Sequence, residues 1–240
     1  MSFLALNLLF AGVPSLAALY LLRRRESSLG GGPPGLVFPA FFLGFIAVLP
    51  AAVVELGLRA MGGFSGGVAG DLLRAFLSAA LVEEAMKLLA VRVFLYHRRE
   101  FRRITDGIRA TMAAGFGFAF FENIFYTFGD PLTLILRGLT SVPMHAVASG
   151  ILGYHVGLSR FTYRPSYGRG ILAAVLFHGL YDFFLFRGSG TAFLALPTLG
   201  AAAMVLRNLH RRAVLQDERE GRSRLPAGEG GIRRFGASAS

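Results

Sequence analysis

The residues best suited to chemistry in this sequence are charged side chains set inside a long apolar stretch. Glu83 and Glu84 are adjacent, and Lys87 follows one helical turn later. An ionisable side chain near the centre of a membrane-spanning helix costs about 2.5–3.5 kcal/mol on insertion scales, so it usually faces the bundle interior and marks a functional site. At these spacings Lys87 can pair with either carboxylate. The alternative is a structural ion pair that joins helices.

Four further polar residues lie in later apolar segments, and they are Glu122, His145, His178 and Asp182. His178 and Asp182 are four residues apart, so they share a helix face, where the carboxylate can orient the imidazole or bind the same ligand. With a rise of about 1.5 Å per residue, all of these side chains and the glutamate pair fall in the middle to outer part of a bilayer. One buried, hydrated site is the economical explanation.

Carboxylates and imidazoles at such a site can activate water. Peptide hydrolysis inside a bilayer needs a base for the water and a donor for the tetrahedral oxyanion. Glutamate and histidine supply both, whereas no serine shows a nucleophile signature. A zinc site is the second option, with His145, His178 and one or more of the carboxylates Glu122 and Asp182 as ligands beside a water. The absence of H-E-x-x-H excludes a zincin-type helix.

Composition defines the elements that must position these residues. Of 240 residues, 54% are hydrophobic, and the mean hydropathy is +0.55, which is too apolar for a soluble globule and sufficient for several spans. The lack of cysteine excludes disulfides, thiolate zinc sites and a cysteine nucleophile. The net charge of +11 comes from arginines that flank the apolar runs. We interpret it as membrane topology and contact with anionic lipid, and we expect no nucleic acid partner.

Seven apolar runs of spanning length divide the chain, at residues 2–22, 36–58, 72–96, 107–128, 132–158, 170–187 and 191–209. The sequence therefore predicts an all-α fold, a polytopic membrane bundle of about seven transmembrane helices. If the helices alternate in direction, the main arginine clusters share one side, which the positive-inside rule makes cytoplasmic. The N-terminus is then outside and the C-terminus cytoplasmic, in a protein that we expect in the cell (plasma) membrane.

One membrane domain is the simplest organisation. We expect it to cover residues 1–212, with the motif-bearing core at about residues 70–185. From residue 213 to residue 240 the sequence is rich in Arg, Glu, Gly and Ser and poor in apolar residues. This composition is typical of disorder, so we predict a basic cytoplasmic tail.

Three short motifs occur in order on separate predicted helices. They are Glu83-Glu84-Ala-Met-Lys87 (E-E-x-x-K), Phe118-Ala-Phe-Phe-Glu122 (F-x-x-x-E) and His178-Gly-Leu-Tyr-Asp182 (H-x-x-x-D), with His145 two residues after Pro143 between the last two. With these motifs the sequence resembles the PrsW family of bacterial intramembrane proteases. That family is similar to the wider group of CAAX prenyl endopeptidases and bacteriocin-immunity proteins.

The resemblance implies an endopeptidase that cuts a membrane-anchored protein near the bilayer surface, for example an anti-sigma factor. In the wider group the first glutamate of the paired motif is the candidate water activator, which implies this role for Glu83. Glu84 and Lys87 would set its ionisation. The remaining polar residues would complete the catalytic site, namely Glu122, His145, His178 and Asp182.

Two departures from the wider group affect the oxyanion donor. Its second motif usually ends in His and its last in Asn, where this chain has Glu122 and Asp182. These differences suit PrsW and leave the donor open between His145 and His178. The residue types also leave open whether the site is a metal-free glutamate site or a metal site.

Two functions from other classes remain compatible with the residues. A proton- or ion-coupled carrier also places Glu, His and Lys at the bilayer midplane, but it predicts pseudo-symmetric halves, which the sequence does not indicate. A non-catalytic membrane binder would keep the same site without turnover.

Overall fold

The computed structural model describes residues 3–28, 35–62, 64, 66–125, 130–162, 165–188 and 190–221, and the regular elements within them are helical. The helices are α1 (Phe3–Ser28), α2 (Val37–Ala60), α3 (Val68–Leu73), α4 (Leu81–Phe94), α5 (Ile104–Phe125), α6 (Pro131–Phe161), α7 (Tyr167–Phe186) and α8 (Ala195–Arg219). A π-helical segment, Arg74–Ala80, joins α3 to α4 without a break. The described chain thus forms seven long helical segments, and the predicted all-α bundle is confirmed.

Five of these segments are long and apolar enough to cross a membrane: Ala5–Arg24, Val37–Ala60, Pro131–Phe161, Tyr167–Phe186 and Ala192–Arg219. The other two are the continuous α3 to α4 segment and α5. These two carry the glutamates and the lysine of the predicted site. They pack among the more apolar helices, so the protein is an integral membrane helix bundle.

Helix α5 occupies the centre of the bundle, where it packs against α1, α2, α4, α6 and α8. A Cβ added at Gly115 would lie 2.7 Å from the carbonyl oxygen of His145 on α6, and one at Gly117 would meet the backbone of Phe41 on α2. Helices approach this closely only where a side chain is missing. Gly115 therefore sets the spacing between α5 and the His145 helix, and Gly117 sets the spacing between α5 and α2.

One end of the bundle gathers the arginine clusters. Arg160, at the end of α6, donates to the carbonyl oxygen of Arg98 at 3.3 Å. At the same end, the Asp217 carboxylate of α8 accepts hydrogen bonds from the backbone N–H groups of Ile104 and Thr105, at 2.8 and 3.0 Å. The ends of α4, α6 and α8 and the start of α5 therefore lie together. By the positive-inside rule this end is cytoplasmic, and the orientation itself stays a prediction.

Helix α8 extends beyond the predicted limit of the membrane domain. The sequence predicts a tail from residue 213, whereas α8 continues to Arg219. The physical reason is the buried carboxylate of Asp217, which binds the first turn of α5 and so ties this part of α8 to the bundle. Residues 222–240, the remainder of the predicted tail, lie outside the described residues, and the division into one domain and a tail stays a prediction.

Candidate active site

The helix that carries the glutamate pair changes its winding just before the pair. Arg74–Ala80 is π-helical, and α4 begins at Leu81, two residues before Glu83. Short π-helical stretches inside α-helices are frequent at functional sites. This segment packs against α7, where the Phe76 ring lies 2.6 Å from the position that a Cβ on Gly179 would take. The tight contact brings the glutamate helix beside His178, the neighbour of that glycine.

Lys87 is the cation at the centre of the site. Its Nζ lies 2.8 Å from Glu84 Oε1 and 3.4 Å from Glu83 Oε2, as the spacing of the three residues predicts. It also lies 3.0 Å from Nδ1 of His145 and 4.2 Å from the ring centroid of Phe118. All five side chains are buried. Because an ammonium group only donates hydrogen bonds, it serves both carboxylates and the lone pair of the His145 Nδ1 atom.

The second ring nitrogen of His145 contacts a carboxylate. Nε2 lies 2.8 Å from Glu122 Oε2. With Lys87 donating to Nδ1, the neutral imidazole carries its proton on Nε2 and donates it to Glu122. The other carboxylate oxygen of Glu122 forms an ion pair with Arg137 Nη2 at 2.9 Å, and the Nε of Arg137 donates to Asn123 Oδ1 at 2.8 Å.

His178 is held in a similar way from α4. Its Nδ1 lies 3.1 Å from Glu84 Oε1. The opposite nitrogen, Nε2, lies 3.8 Å from Glu83 Oε2 and 3.6 Å from Asp182 Oδ2. Ser149 donates a hydrogen bond to the second oxygen of Glu84 at 2.9 Å. Each histidine thus has one nitrogen on a carboxylate and the other turned toward Glu83.

The structure brings together all seven residues predicted for the site, since each contacts at least one other member: Glu83, Glu84, Lys87, Glu122, His145, His178 and Asp182. The side chains of Glu84 and Lys87 are fully buried, whereas that of Glu122 is 24% exposed and that of Asp182 is 16% exposed. The site is therefore closed around Lys87 and more open beside Glu122 and Asp182. The catalytic roles of the seven residues stay predictions.

Three neighbours were not part of the predicted site: Glu55, Arg137 and Ser149. Glu55, on α2, interacts electrostatically with Glu122. Like the glutamate pair, it is an ionisable residue inside an apolar run, and this sequence feature could have identified it. Ser149 follows His145 by one helical turn, and Arg137 precedes it by about two turns, so both share its face of α6. A search along that face would have found them.

Among the described residues, three side chains converge closely enough to hold a metal ion. One ligand atom from each of Glu83, His145 and His178 lies within 4.8 Å of the others. A carboxylate with two imidazoles is a usual ligand set for a catalytic metal with an open position. The outer nitrogen of each histidine meets a carboxylate, which is the arrangement that orients metal-binding histidines. The ligand types therefore fit a metal ion, which would take the lone pair of His145 Nδ1 in place of Lys87.

This group differs from the ligand set predicted from sequence, in which Glu122 and Asp182 accompany the two histidines. The structure instead places Glu83 with them, because Glu122 contacts the nitrogen of His145 that faces away from Glu83. Asp182 lies beside the inner nitrogen of His178 but outside the close group. Residue spacing could not reveal which ring nitrogen faces the centre.

A membrane helix bundle with carboxylates and histidines buried among its helices fits the class of intramembrane peptidases. A family model described as "PrsW family intramembrane metalloprotease" matches residues 32–207, so the chain belongs to the PrsW family. This confirms the resemblance seen in the motifs and the prediction of a membrane-embedded protease that acts on a protein substrate.

Curated relatives agree with the family assignment. The chain is 34% identical over 178 residues to Protease PrsW of Geobacillus kaustophilus, covering 72% of this chain and 76% of the relative. It is 28% identical over 193 residues to Protease PrsW of Bacillus subtilis, covering 78% and 84%. For Protease PrsW of Halalkalibacterium halodurans, the identity is 30% over 180 residues, covering 73% and 82%. A comparison with solved structures gave no significant match.

Proposed function

We propose that this protein hydrolyses peptide bonds of a membrane-anchored protein, with Glu83, His145 and His178 at the reacting centre. The observation that carries the proposal is the convergence of one carboxylate oxygen and two ring nitrogens within 4.8 Å inside the bundle. The partly exposed carboxylates of Glu122 and Asp182 mark the side by which water and a substrate chain reach that centre. A substrate anchored in the same membrane meets this entrance without leaving the bilayer.

The same three side chains are the proposed ligands of a zinc ion. A zinc ion held by them would supply Lewis-acid polarisation of the scissile carbonyl and a more acidic water. Glu122 and Glu84 fix the outer nitrogens of the two histidines, at 2.8 and 3.1 Å. In this version Glu122 and Asp182 act around the metal site rather than as its ligands. Asp182, beside His178, is then the carboxylate placed to accept the proton from the attacking water.

A metal-free version of the same hydrolysis is favoured by one contact. Lys87 Nζ lies 3.0 Å from Nδ1 of His145, the nitrogen whose lone pair a metal ion would need. In this version Glu83 removes a proton from water while the water oxygen bonds to the carbonyl carbon. Glu83 then passes that proton to the leaving amine as the C–N bond breaks. His178, protonated on both ring nitrogens, keeps Nδ1 on Glu84 and donates a hydrogen bond from Nε2 to the tetrahedral oxyanion.

Metal analysis of the protein, purified from membranes without chelators, tests the zinc version. Zinc near one ion per chain that is lost in His145→Ala and in His178→Ala supports it. The matched control is His155→Ala, because His155 lies on the same helix as His145 but contacts Ser166 instead of the site. Full cleavage activity in protein that contains no zinc or other stoichiometric metal contradicts the zinc version and supports the glutamate version.

The substrate and the membrane follow from the family resemblance rather than from the geometry. An anti-sigma factor with a single transmembrane helix, in the cell (plasma) membrane, is the proposed substrate. Co-expression of the protein with candidate single-span substrates tests this proposal, and a shortened fragment that depends on the protein supports it. The arginine-rich end of the bundle supports contact with anionic lipid on the cytoplasmic side.

A further inference from the structure

The end of the bundle opposite the arginine clusters, where α2 and α7 end, contains a cleft that the proposed hydrolysis does not use. Its volume is about 360 Å³, and the described residues that line it are Arg59, Gly62, Phe64 and Arg74. Arg59 lies in the last turn of α2, and Arg74 is the first residue of the π-helical segment. No acid is among these lining residues, so two positive charges face the cleft without a carboxylate in its wall.

Arg74 has a guanidinium group whose charge is not compensated within the described part of the chain. Its Cζ lies 4.1 Å from the ring centroid of Phe186 on α7, so an aromatic ring covers one face of the group. Its Nε is buried and has no hydrogen-bond partner among the described residues. An arginine inside an apolar segment usually pairs with another group or marks a substrate or ion path. An anion in the cleft would compensate this charge.

Arg59 also has donors that no described residue uses. Its side chain is 49% exposed, and the ion pair that it forms with Glu55 is 3.8 Å long. Because this distance is too long for a hydrogen bond, Glu55 offsets part of the charge and leaves the guanidinium N–H groups available. Guanidinium groups bind carboxylates and phosphates through paired N–H donors. The cleft is therefore suited to a small anionic group.

The cleft lies next to the more open side of the site. Along α2, Arg59 follows Glu55 by one helical turn, and Glu55 interacts electrostatically with Asp182. Along α7, Asp182 is followed one turn later by Phe186, whose ring covers Arg74. Four residues of a helix correspond to about 6 Å. Two helices therefore place the cleft about one turn beyond the carboxylates at the entrance.

We propose that the cleft is a subsite for an acidic side chain of the substrate, bound by Arg59 and Arg74. This inference rests on the proposed function, since it assigns the cleft to the same substrate chain. Arg74 precedes Glu83 by nine helical residues, or about 13 Å at most, and an extended chain covers about 3.3 Å per residue. The acidic residue should therefore lie about three to five residues from the scissile bond, on the side that leads away from the membrane. A lipid phosphate has the same charge, but the position of the cleft beside the entrance favours the substrate.

Peptide binding to the Glu83→Gln protein, in which cleavage is expected to be absent, tests this inference. The protein is reconstituted in phosphatidylcholine nanodiscs. The probes are synthetic single-span peptides with one Glu, or one Gln, at successive positions outside the span. At the favoured position the Glu peptide is expected to bind about tenfold more tightly than the Gln peptide, because it forms a charge-assisted contact.

Variants of the two arginines connect this preference to the cleft. Arg59→Gln and Arg74→Gln, each in the Glu83→Gln background, are expected to reduce the preference for Glu to less than about threefold. Arg74→Glu is expected to transfer the preference to a peptide with Lys at the same position, because the charges are then reversed. This gain of binding cannot come from a misfolded variant.

Arg187→Gln is the matched control for the loss of a positive charge. Arg187 lies at the same end of the bundle, but it pairs with Asp71 at 3.1 Å and is not among the residues that line the cleft. The full preference for Glu is expected in this variant. An equal loss of preference in Arg187→Gln and Arg74→Gln would show a general effect of charge and would overturn the assignment to the cleft.

The absence of a preference for Glu at every position overturns the inference. Native mass spectrometry identifies the lipid alternative, in which the wild type retains a phosphatidylglycerol molecule that Arg74→Gln loses, and this result without a peptide preference also overturns it. Cleavage by the protein with Glu83 intact decides the proposed function separately. Cleavage without a preference for Glu overturns the inference alone, and a preference for Glu without cleavage overturns the proposed function alone.

Discussion

Two regions of this molecule bury carboxylates, and they use them differently. At the arginine-rich end, Asp217 accepts from the backbone N–H groups of Ile104 and Thr105 and from the hydroxyl of Thr105, at 2.8, 3.0 and 2.9 Å. At the centre, the contacts of Glu83 and Glu84 are with side chains of Lys87, Ser149 and the two histidines.

The first arrangement completes a helix. The free N–H groups of the first turn of α5 need acceptors, and Asp217 supplies them. The central carboxylates satisfy no helix end, since both lie inside a continuous helical segment. A buried carboxylate that accepts hydrogen bonds from unpaired backbone N–H groups stabilises the fold. A set of buried carboxylates and imidazoles that contact one another instead indicates a functional site. The following variants test this distinction.

After the loss of Glu83, the largest expected effect is the loss of His178. In His178→Gln, cleavage of a single-span substrate in reconstituted vesicles is expected to fall by about 10²–10³-fold, the range for removal of an oxyanion donor. The thermal unfolding midpoint should change little by comparison. His155→Gln is the control, because its contact with Ser166 belongs to the arginine-rich end, and near wild-type cleavage is expected. Equal losses in both variants would remove the distinction between the two regions.

Asp217→Ala is expected to show the reverse pattern. Removing the cap leaves two backbone donors of α5 unsatisfied, which costs about 1–3 kcal/mol for a buried group. The thermal midpoint should fall, while the cleavage rate per folded molecule stays close to that of the wild type. A strong loss of the rate in protein that is still fully folded would show that this end takes part in the chemistry.

A smaller effect is expected for Ser149→Ala. Its hydrogen bond to Glu84 is one contact among several at that carboxylate, and a typical bond contributes about 0.5–1.5 kcal/mol. Cleavage should therefore fall about two- to tenfold. The matched variant is Ser159→Ala, since Ser159 accepts from the backbone N–H of Ser166 at 2.8 Å. Ser159→Ala should lower the thermal midpoint and leave the cleavage rate nearly unchanged. A loss of rate in Ser159→Ala, with only a loss of stability in Ser149→Ala, would contradict the comparison.

The smallest effect is expected for Glu55→Gln. Glu55 is partly exposed, forms an ion pair with Arg59 at 3.8 Å and acts on the site only through its charge. Because the exposed Arg59 beside Glu55 partly neutralises its charge, the effect at the site should be about 1 kcal/mol or less, and the cleavage rate should change less than about fivefold. A loss as large as that of His178→Gln would make Glu55 a member of the reacting centre.

Local spacing accounts for what the sequence could predict. The apolar runs located the seven helical segments, and spacings of three and four residues predicted that Lys87 meets both glutamates and that Asp182 lies near His178. Common depth in the bilayer predicted one shared site. These inferences depend on helical geometry alone, so they hold without knowledge of how the helices pack.

The remaining features depend on packing between distant residues. The contact of Ser149 with Glu84 spans 65 positions, and that of Thr105 with Asp217 spans 112. The π-helical segment before the glutamates, Arg74–Ala80, packs against α7, and no local sequence pattern predicts it. The placement of Glu83 between the two histidines depends on the rotation of each ring, which neighbouring helices determine.

The cleavage assay on Glu83→Gln tests the central claim most directly. Glutamine keeps the shape of the side chain and removes the oxygen charge that faces both histidines, so it affects Glu83 as a base and as a metal ligand alike. We expect cleavage of a single-span substrate to fall to background, with normal membrane insertion and a thermal midpoint near that of the wild type. Retained cleavage in the correctly inserted variant would contradict the account.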